Sequence, residues 1–530
     1  MHRRLPLLLA ASALSLVLGS PAALAVGAIK ASDSPPTFTG CTSGATHPPN
    51  RPSFNYRDSE VEPWLAVNPK NPANLIGAWQ QDRWSDGGAH GLTAGASFDG
   101  GLTWTDTPLP FDACAAPNDP VASIYNRASD PWVSIGPDGT AYAVSISINV
   151  DTNDGAVLAS TSRNGGLSWS APKIIKADKG TSPTLFEITQ FFDDKESVTA
   201  DPNKPGVAYA VWDRLVSPSQ AFDADLHARA FRGPTWFSKT TDGGQTWQTR
   251  QIFDPGEKNQ TIGNVIVVDP RTGTLYDFFD LILSTGLKAP RGTNVAFLTS
   301  TDGGNTWSGP TIVSSLLTVG VSDPNNVDPR TNTAPAPLRT GDLTPEPAID
   351  PLTGQLYVVW QDSRFNGGSF DEVAISTSTN GGKTWSAPKR VNTPSGHAAF
   401  TPSVAVNSAH TVGVSYYQWD VSTSLGSEPT VYRLKQLTPA QVAATSATTL
   451  EAVAATTVLG PFNMLDAPFA SGYFTGDYEG LATSGTTFLP FVVATNCADL
   501  TCRALTAVTP PADRTPTGFN STDVYLGVAQ

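Results

Sequence analysis

SFDGGLTW (Ser97–Trp104), SRNGGLSW (Ser162–Trp169), TTDGGQTW (Thr240–Trp247), STDGGNTW (Ser300–Trp307) and STNGGKTW (Ser378–Trp385) are five copies of one phrase. Each residue of the phrase suits a tight hairpin. Asp99, Asn164, Asp242, Asp302 and Asn380 are short acceptors that close a turn by taking backbone N–H groups a few residues on. The paired glycines, such as Gly100 and Gly101, supply positive φ without a Cβ clash. The tryptophan that follows buries a large ring where the next strand begins. The phrase builds a stiff turn and presents no reacting group.

A weaker repeat keeps step with the first. Short apolar strands end in Asn/Asp-Pro or an equivalent turn, as in WLAVNP (Trp64–Pro69), WVSIGP (Trp132–Pro137) and VIVVDP (Val265–Pro270). Taking Asn68, Gly136, Asp201, Asp269, Asp350, Asn407 and Ser484 as equivalent gives steps of 68, 65, 68, 81, 57 and 77 residues. Such a period fits four short strands with their turns, which is one blade of a β-propeller. The expectation is an all-β propeller of four-stranded antiparallel blades over residues 56–530, with seven blades favoured and six as the alternative. The stretch Asp523–Ala529 is read as a third strand of the last blade, with an N-terminal strand closing the ring. Leu437–Gly460, rich in Ala and Thr, is read as a loop or edge strand.

Residues 1–25 read as a secretory signal: Arg3 and Arg4, an apolar run Leu5–Leu18, then Ala23-Leu24-Ala25. Residues 26–55 read as a leader rich in Pro, Ser and Thr. Without Arg3 and Arg4 the chain has 31 basic and 47 acidic residues, a net charge of −16. That balance argues against nucleic acid and anionic membranes as partners. No later run is long and apolar enough to span a bilayer, so a soluble exported protein is expected, and it is read as a monomer. Four cysteines in such a chain read as two disulfides. Cys41–Cys114 with Cys497–Cys502 is preferred among the three pairings. No zinc spacing, phosphate loop or His-based ligand set stands out, so no metal and no cofactor are expected.

The repeated phrases resemble the Asp-boxes (BNR repeats) of the sialidase, or neuraminidase, superfamily. In that family the box joins the third and fourth strands of a blade, on the face opposite the substrate. The resemblance implies a secreted glycoside hydrolase acting on terminal sugars of extracellular glycans with retention. It also implies that the first strand of each blade runs away from the substrate face. That face then collects paired charge at the strand ends: Asp82/Arg83, Asp213/Arg214 and Asp362/Arg364. Lead-ins to first strands add Arg57 and Glu62, Arg127 and Asp130, Asp193 to Glu196, Arg339 and Glu346, and Tyr473, Asp477 and Tyr478.

Arg57, Arg83, Arg127, Arg214, Arg339 and Arg364 are therefore the candidate substrate-binding residues, since guanidinium groups grip a sugar carboxylate in pairs. Asp82, Glu346, Tyr473 and Tyr478 are the candidate catalytic residues, and Tyr416 or Tyr417 stands as a rival tyrosine. One departure is plain: where sialidases carry Arg-Ile-Pro in the first blade, this chain has Val61-Glu62-Pro63. The same Asp–Arg pairs would also serve as ion pairs locking adjacent blades. A non-catalytic propeller that binds a glycan or a protein is thus the competing reading.

Overall fold

The computed structural model describes residues 27–32, 37–44, 53–180, 191–216, 232–284, 292–323, 335–419, 429–444, 448–496 and 521–529. The proposed signal segment, Cys497 and Cys502 lie outside these residues. The described strands form seven four-stranded antiparallel sheets, of which two are joined by a single pair, Ala89 with Ala128, and a small three-stranded sheet of Val321–Asp323, Ala336–Arg339 and Tyr473–Phe474. The protein is an all-β propeller.

The first strands of successive sheets are Glu60–Val67, Arg127–Ile135, Phe191–Ala200, Gln260–Val268, Glu346–Ile349, Ala399–Val406 and Gly480–Ser484. Each packs on the next, and Gly480–Ser484 returns to Glu60–Val67, so the ring closes on itself. The apolar core is divided among the gaps between sheets. Ile76, Leu92 and Phe111 fill the gap with Val133 and Leu158 of the second sheet. Tyr209 and Phe237 meet Ile266 and Leu275 between the third and fourth. At the closure, Trp79 and Leu75 meet Phe491, Val524 and Leu526. Trp79, Trp212 and Trp360, each the fifth residue of its second strand, are wholly buried.

All five repeated phrases join the third and fourth strands of a sheet. In the first, Asp99 Oδ1 accepts from the backbone N–H groups of Leu102 at 3.0 Å and Thr103 at 2.9 Å. Ser97 Oγ accepts from Gly101 N at 2.8 Å. The Thr103 hydroxyl and backbone, donating to this carboxylate, draw Asp99 down to about 2. Gly101, at φ +94°, also lies so close to the seventh sheet that a Cβ would stand 2.0 Å from Leu526 Cδ2.

The last two sheets carry no such phrase, and the topology explains both cases. In the sixth sheet, the link between Thr430–Leu437 and Thr456–Phe462 is a longer insert with two short helices, Pro439–Ala443 and Thr448–Glu451. The first of them starts with a capping box between Thr438 and Gln441. The expectation of loop or edge strand for this stretch therefore holds only for its last part. In the seventh sheet the outer strand is Ile29–Lys30, paired with Thr522–Leu526. Its third and fourth strands come from opposite ends of the chain, so no hairpin joins them. Ile29–Lys30 lies within the stretch read from sequence as a leader. A disulfide, Cys41–Cys114, ties that stretch to the first sheet's exit. Among the described residues, no helix is long and apolar enough to cross a membrane.

The seams between sheets also hold carboxyl groups without cations. Asp277 is fully buried on the second strand of the fourth sheet, flanked along that face by Leu275 and Phe279, and neither of its oxygens has a hydrogen-bond partner among the described residues. Burial and then the nearby Asp213 push its carboxyl well above the usual range. A folded-state value above the unfolded one means stability is lost as pH climbs from the unfolded value near 4. Asp277→Asn removes that loss. Its melting temperature relative to the parent is expected to rise between pH 4 and pH 8. Calorimetry at both pH values checks this, and an equal offset at both would exclude an ionising Asp277.

Candidate active site at the ring axis

A β-bulge near the start of the first strand recurs in five sheets. It places Glu62, Asp130, Lys195, Gly263 and Thr401 at φ +55°, +54°, +51°, +73° and +46°. Four of these five are not glycine, so the ring holds strain of about 1–3 kcal/mol at each. The positions are equivalent, each standing six residues before the turn residue that ends its strand. They lie at the strand ends opposite the repeated phrases. By the same count, Thr344 and Tyr478 take the place in the fifth and seventh sheets.

The bulge turns three of these side chains toward one another. Lys195 Nζ lies 3.2 Å from Glu62 Oε1, 3.1 Å from Asp130 Oδ2 and 2.6 Å from Asp477 Oδ2. Arg339 reaches the same Asp477, its Nε donating to Oδ1 at 2.9 Å and its Nη2 to Oδ2. Gln80 Nε2 donates to the other oxygen of Glu62, and Arg83 Nη1 donates to Gln80 Oε1 at 2.7 Å. Arg83 and Arg339 both lie over the Phe474 ring, at 5.1 and 4.5 Å. Beneath them Trp64 and Trp132 stack at 3.5 Å, with Tyr478 5.1 Å from Trp132. The cluster is buried except at Arg339, whose side chain keeps 24% of its surface.

Burial and mutual charge give the carboxyls different protonation states. Burial, then Asp130, pushes Glu62 up to about 8 against the pull of Lys195. Burial works the same way on Asp477, but Arg339 and Lys195 overcome it and hold this carboxyl far below its usual range. Asp194 is raised to about 7 by burial, with Lys195 opposing. Lys195 is lifted well above its usual value: burial would lower it, and Asp130, Asp477 and Glu62 outweigh that. Arg83 is lowered by burial and then by Arg339. Among the described residues, its buried Nε has no hydrogen-bond partner and no carboxylate is bonded to Arg83.

The other sequence candidates stand elsewhere. Arg57 is exposed. Arg127 is buried over Trp84 and donates to the Gly44 and Gly87 carbonyls and to Asp86. It therefore staples the segment beside the disulfide. Arg214 is closed between Asp178 at 2.6 Å and Asp193 at 2.9 Å. Arg364 folds back on Asp362 at 2.7 Å.

Asp82 accepts from Asp58 N at 2.9 Å and faces His90 at 3.2 Å. Glu346 is buried at the head of the fifth sheet and pushed up to about 8 by burial. Tyr473 pairs with Leu338 and packs on Phe469. Tyr478 donates to the Pro131 carbonyl at 3.0 Å, below the cluster. Tyr417 does meet a glutamate, Glu479, at 2.7 Å, but inside the core and also against the Val493 carbonyl.

Of the six arginines, only Arg83 and Arg339 come together. The three Asp–Arg pairs are out of register as well. Counted from Trp79, Trp212 and Trp360, their aspartates stand three, one and two residues on. The sequence reading named Lys195 and Asp130 only as lead-in residues. The signal that could have found their role was the constant spacing from the turn.

Cutting an arginine from a closed pair and cutting a free one have different consequences. Arg214→Ala leaves Asp178 and Asp193 facing each other without their cation and is expected to cost about 3 kcal/mol. Arg57→Ala is expected to stay within about 0.5 kcal/mol of the parent. Urea denaturation of both variants checks the contrast.

No protein-family model and no curated protein sequence matches this chain. Among solved structures it is similar to a protein of unknown function from Dyadobacter fermentans, at 13% identity and a TM-score of 0.44, over 90% of this chain and 97% of that one. It is also similar to an alpha-L-arabinanase of Penicillium chrysogenum, at 14% identity and a TM-score of 0.41, over 69% and 94%. The NanB sialidase of Streptococcus pneumoniae aligns at 12% identity and a TM-score of 0.41, over 73% and 69%. At such identities and scores no residue role passes from them to this chain.

Proposed function

We propose that the chain is a glycoside hydrolase acting on terminal sugars, sialidase-like in taking an acidic one, and that it works at the axial cluster. The observation that carries this reading is the pairing of Glu62 and Asp477 on one ammonium. Their oxygens lie within about 6 Å of each other, one carboxyl pushed up and its neighbour held down. Retaining hydrolysis asks for roughly 5–5.5 Å between such a pair.

In this reading Glu62, protonated at neutral pH, gives its proton to the leaving glycosidic oxygen as the C–O bond breaks. Asp477, ionised, bonds to the anomeric carbon. Water then attacks that carbon, Glu62 takes the water's proton, and Asp477 departs. Arg83, with no carboxylate partner of its own, receives the acid group of the sugar. Arg339 covers Asp477 and is the most exposed member, so the sugar reaches the pair by displacing it. The chain is read as an exported monomer working on extracellular glycans, where the Cys41–Cys114 disulfide persists.

A non-catalytic propeller that binds a glycan or a protein is the second reading. It is favoured by Arg127, Arg214, Arg339 and Arg364, each already closed by acceptors within the chain.

Turnover of fluorogenic sialosides and of a panel of other fluorogenic glycosides separates the two. The hydrolase reading expects turnover by the parent and a fall in kcat of about 10²–10⁴-fold in Glu62→Gln and in Asp477→Asn. Arg83→Ala is expected to raise KM for acidic sugars more than for neutral ones. A folded parent with no turnover on any substrate would leave the binding propeller standing, and variants as active as the parent would remove the axial cluster from the reaction.

A further inference from the structure

We infer that Lys195 is a positioning residue: its ammonium is the internal counter-ion that holds Glu62 and Asp477 together. The role at the reaction rests on the hydrolase reading, whereas the role as counter-ion rests on geometry alone.

An ammonium has three N–H donors and no acceptor. Lys195 Nζ has three carboxylate oxygens at 3.2 Å or less, from Glu62, Asp130 and Asp477. The match is one donor to one acceptor, and the three acceptors come from three parts of the chain. Glu62 belongs to the first sheet, Asp130 to the second, and Asp477 to the segment leading into the seventh. Lys195 itself comes from the third sheet, with a side chain only 8% exposed. A four-carbon stem could carry the charge out to water. It does not, because the bulge at φ +51° sends it to the axis.

The surroundings show how much each carboxyl depends on this ammonium. Asp477 has a second cation bonded to it, Arg339. Among the described residues Asp130 has no other bonded cation, its remaining side-chain partner being the Ser129 hydroxyl. Glu62 has Gln80 and the Asp477 backbone N–H, with Arg83 one bond further away. The remaining groups near Nζ are Asp194 and Glu196 on the same strand and the Tyr478 ring at 5.8 Å. None of them can supply positive charge. Removing the ammonium therefore leaves Glu62 and Asp130 as buried carboxylates without a bonded cation, which is far costlier than losing an apolar contact.

Lys195→Met keeps most of the stem and deletes the charge. Without the ammonium, the folded-state pKa of Glu62 rises further above its unfolded value, and Asp130, whose carboxyl Lys195 and the Ser129 hydroxyl hold below the usual range against burial, loses the larger part of that pull and rises too. The resulting instability is absent near pH 4 and grows as pH climbs through the window above it. Melting curves at pH 4 and pH 8 should show a gap between parent and variant that widens by at least about 5 °C. Asp130→Asn added to Lys195→Met should narrow the gap at pH 8 and leave it unchanged at pH 4. Should Lys195→Met fail to fold at pH 8, the double variant carries the same comparison. An equal gap at both pH values would mean that Lys195 only fills space, and the counter-ion role would fall.

On a glycoside that the parent turns over, the basic limb of the kcat/KM profile should move up by about one pH unit in Lys195→Met, because Glu62, pushed up to about 8 against the pull of Lys195, then keeps its proton to a higher pH. An unmoved limb overturns the positioning role. A parent without turnover overturns the hydrolase reading instead, and the pH-dependent gap still decides whether Lys195 is the counter-ion.

Discussion

Closing a ring of sheets forces the first strand of every sheet to face one axis, and with it whatever charge those strands carry near their start. The position six residues before each turn is occupied in chain order by Glu62, Asp130, Lys195, Gly263, Thr344, Thr401 and Tyr478. Two acids would repel at the axis of such a ring. Lys195 at the third position, with Asp477 brought in just before the seventh sheet, converts that repulsion into a charged knot. The bulges that aim these side chains carry unfavourable backbone angles, and the knot offsets part of that cost. Charge and backbone strain at the axis are one feature, seen from two sides.

The opposite face answers a different demand. There the repeated phrase closes each outer hairpin with its own hydroxyls and carboxylates, as Asp99 does with Thr103. These bonds are local and exposed, so each contributes little by itself to global stability. Their value is in geometry: the second glycine of a phrase sits against the neighbouring sheet, where a side chain would collide, as at Gly101 on Leu526 and Gly382 on Phe297. The hairpin tips thereby fix the spacing between sheets, while the layers of Trp, Tyr and Phe in the gaps supply most of the apolar burial. The axis is left free to carry polar groups because the frame is held elsewhere.

The fold was legible in the sequence because its signals are local. A turn phrase of eight residues and a strand ending in Asp-Pro each report their own structure, and their period reports the repeat. Even the missing phrases are informative once the seventh sheet is seen to be shared between the two chain ends. The site was legible only as a list of charged positions. Which charges meet is decided by closure: Asp477 touches Lys195 across 282 residues, and Asp477 N donates to Glu62 across 415. No local pattern encodes that. The Asp–Arg strand ends drew notice because they recur, and recurrence is what ion pairs within sheets produce. Asp193 and Arg214 are direct cross-strand partners, so their contact follows from register alone.

Register also explains why Arg83 differs from the arginines it resembles in sequence. Counted from the buried tryptophan of the second strand, the residue that matches Arg214 is Gln81, two positions on in each case. Gln81 pairs across the strands with Glu60 and donates to its carboxyl, as Arg214 does with Asp193. An amide thus takes the cross-strand position in the first sheet. The arginine, displaced two residues along the strand, meets no partner carboxylate there. It turns instead over Phe474, beside Arg339. A guanidinium held beside another without its own counter-ion is disfavoured by burial and by like charge, and both lower its affinity for its proton. The first sheet accepts this arrangement where the third does not, and an incoming anion is the partner that would relieve it.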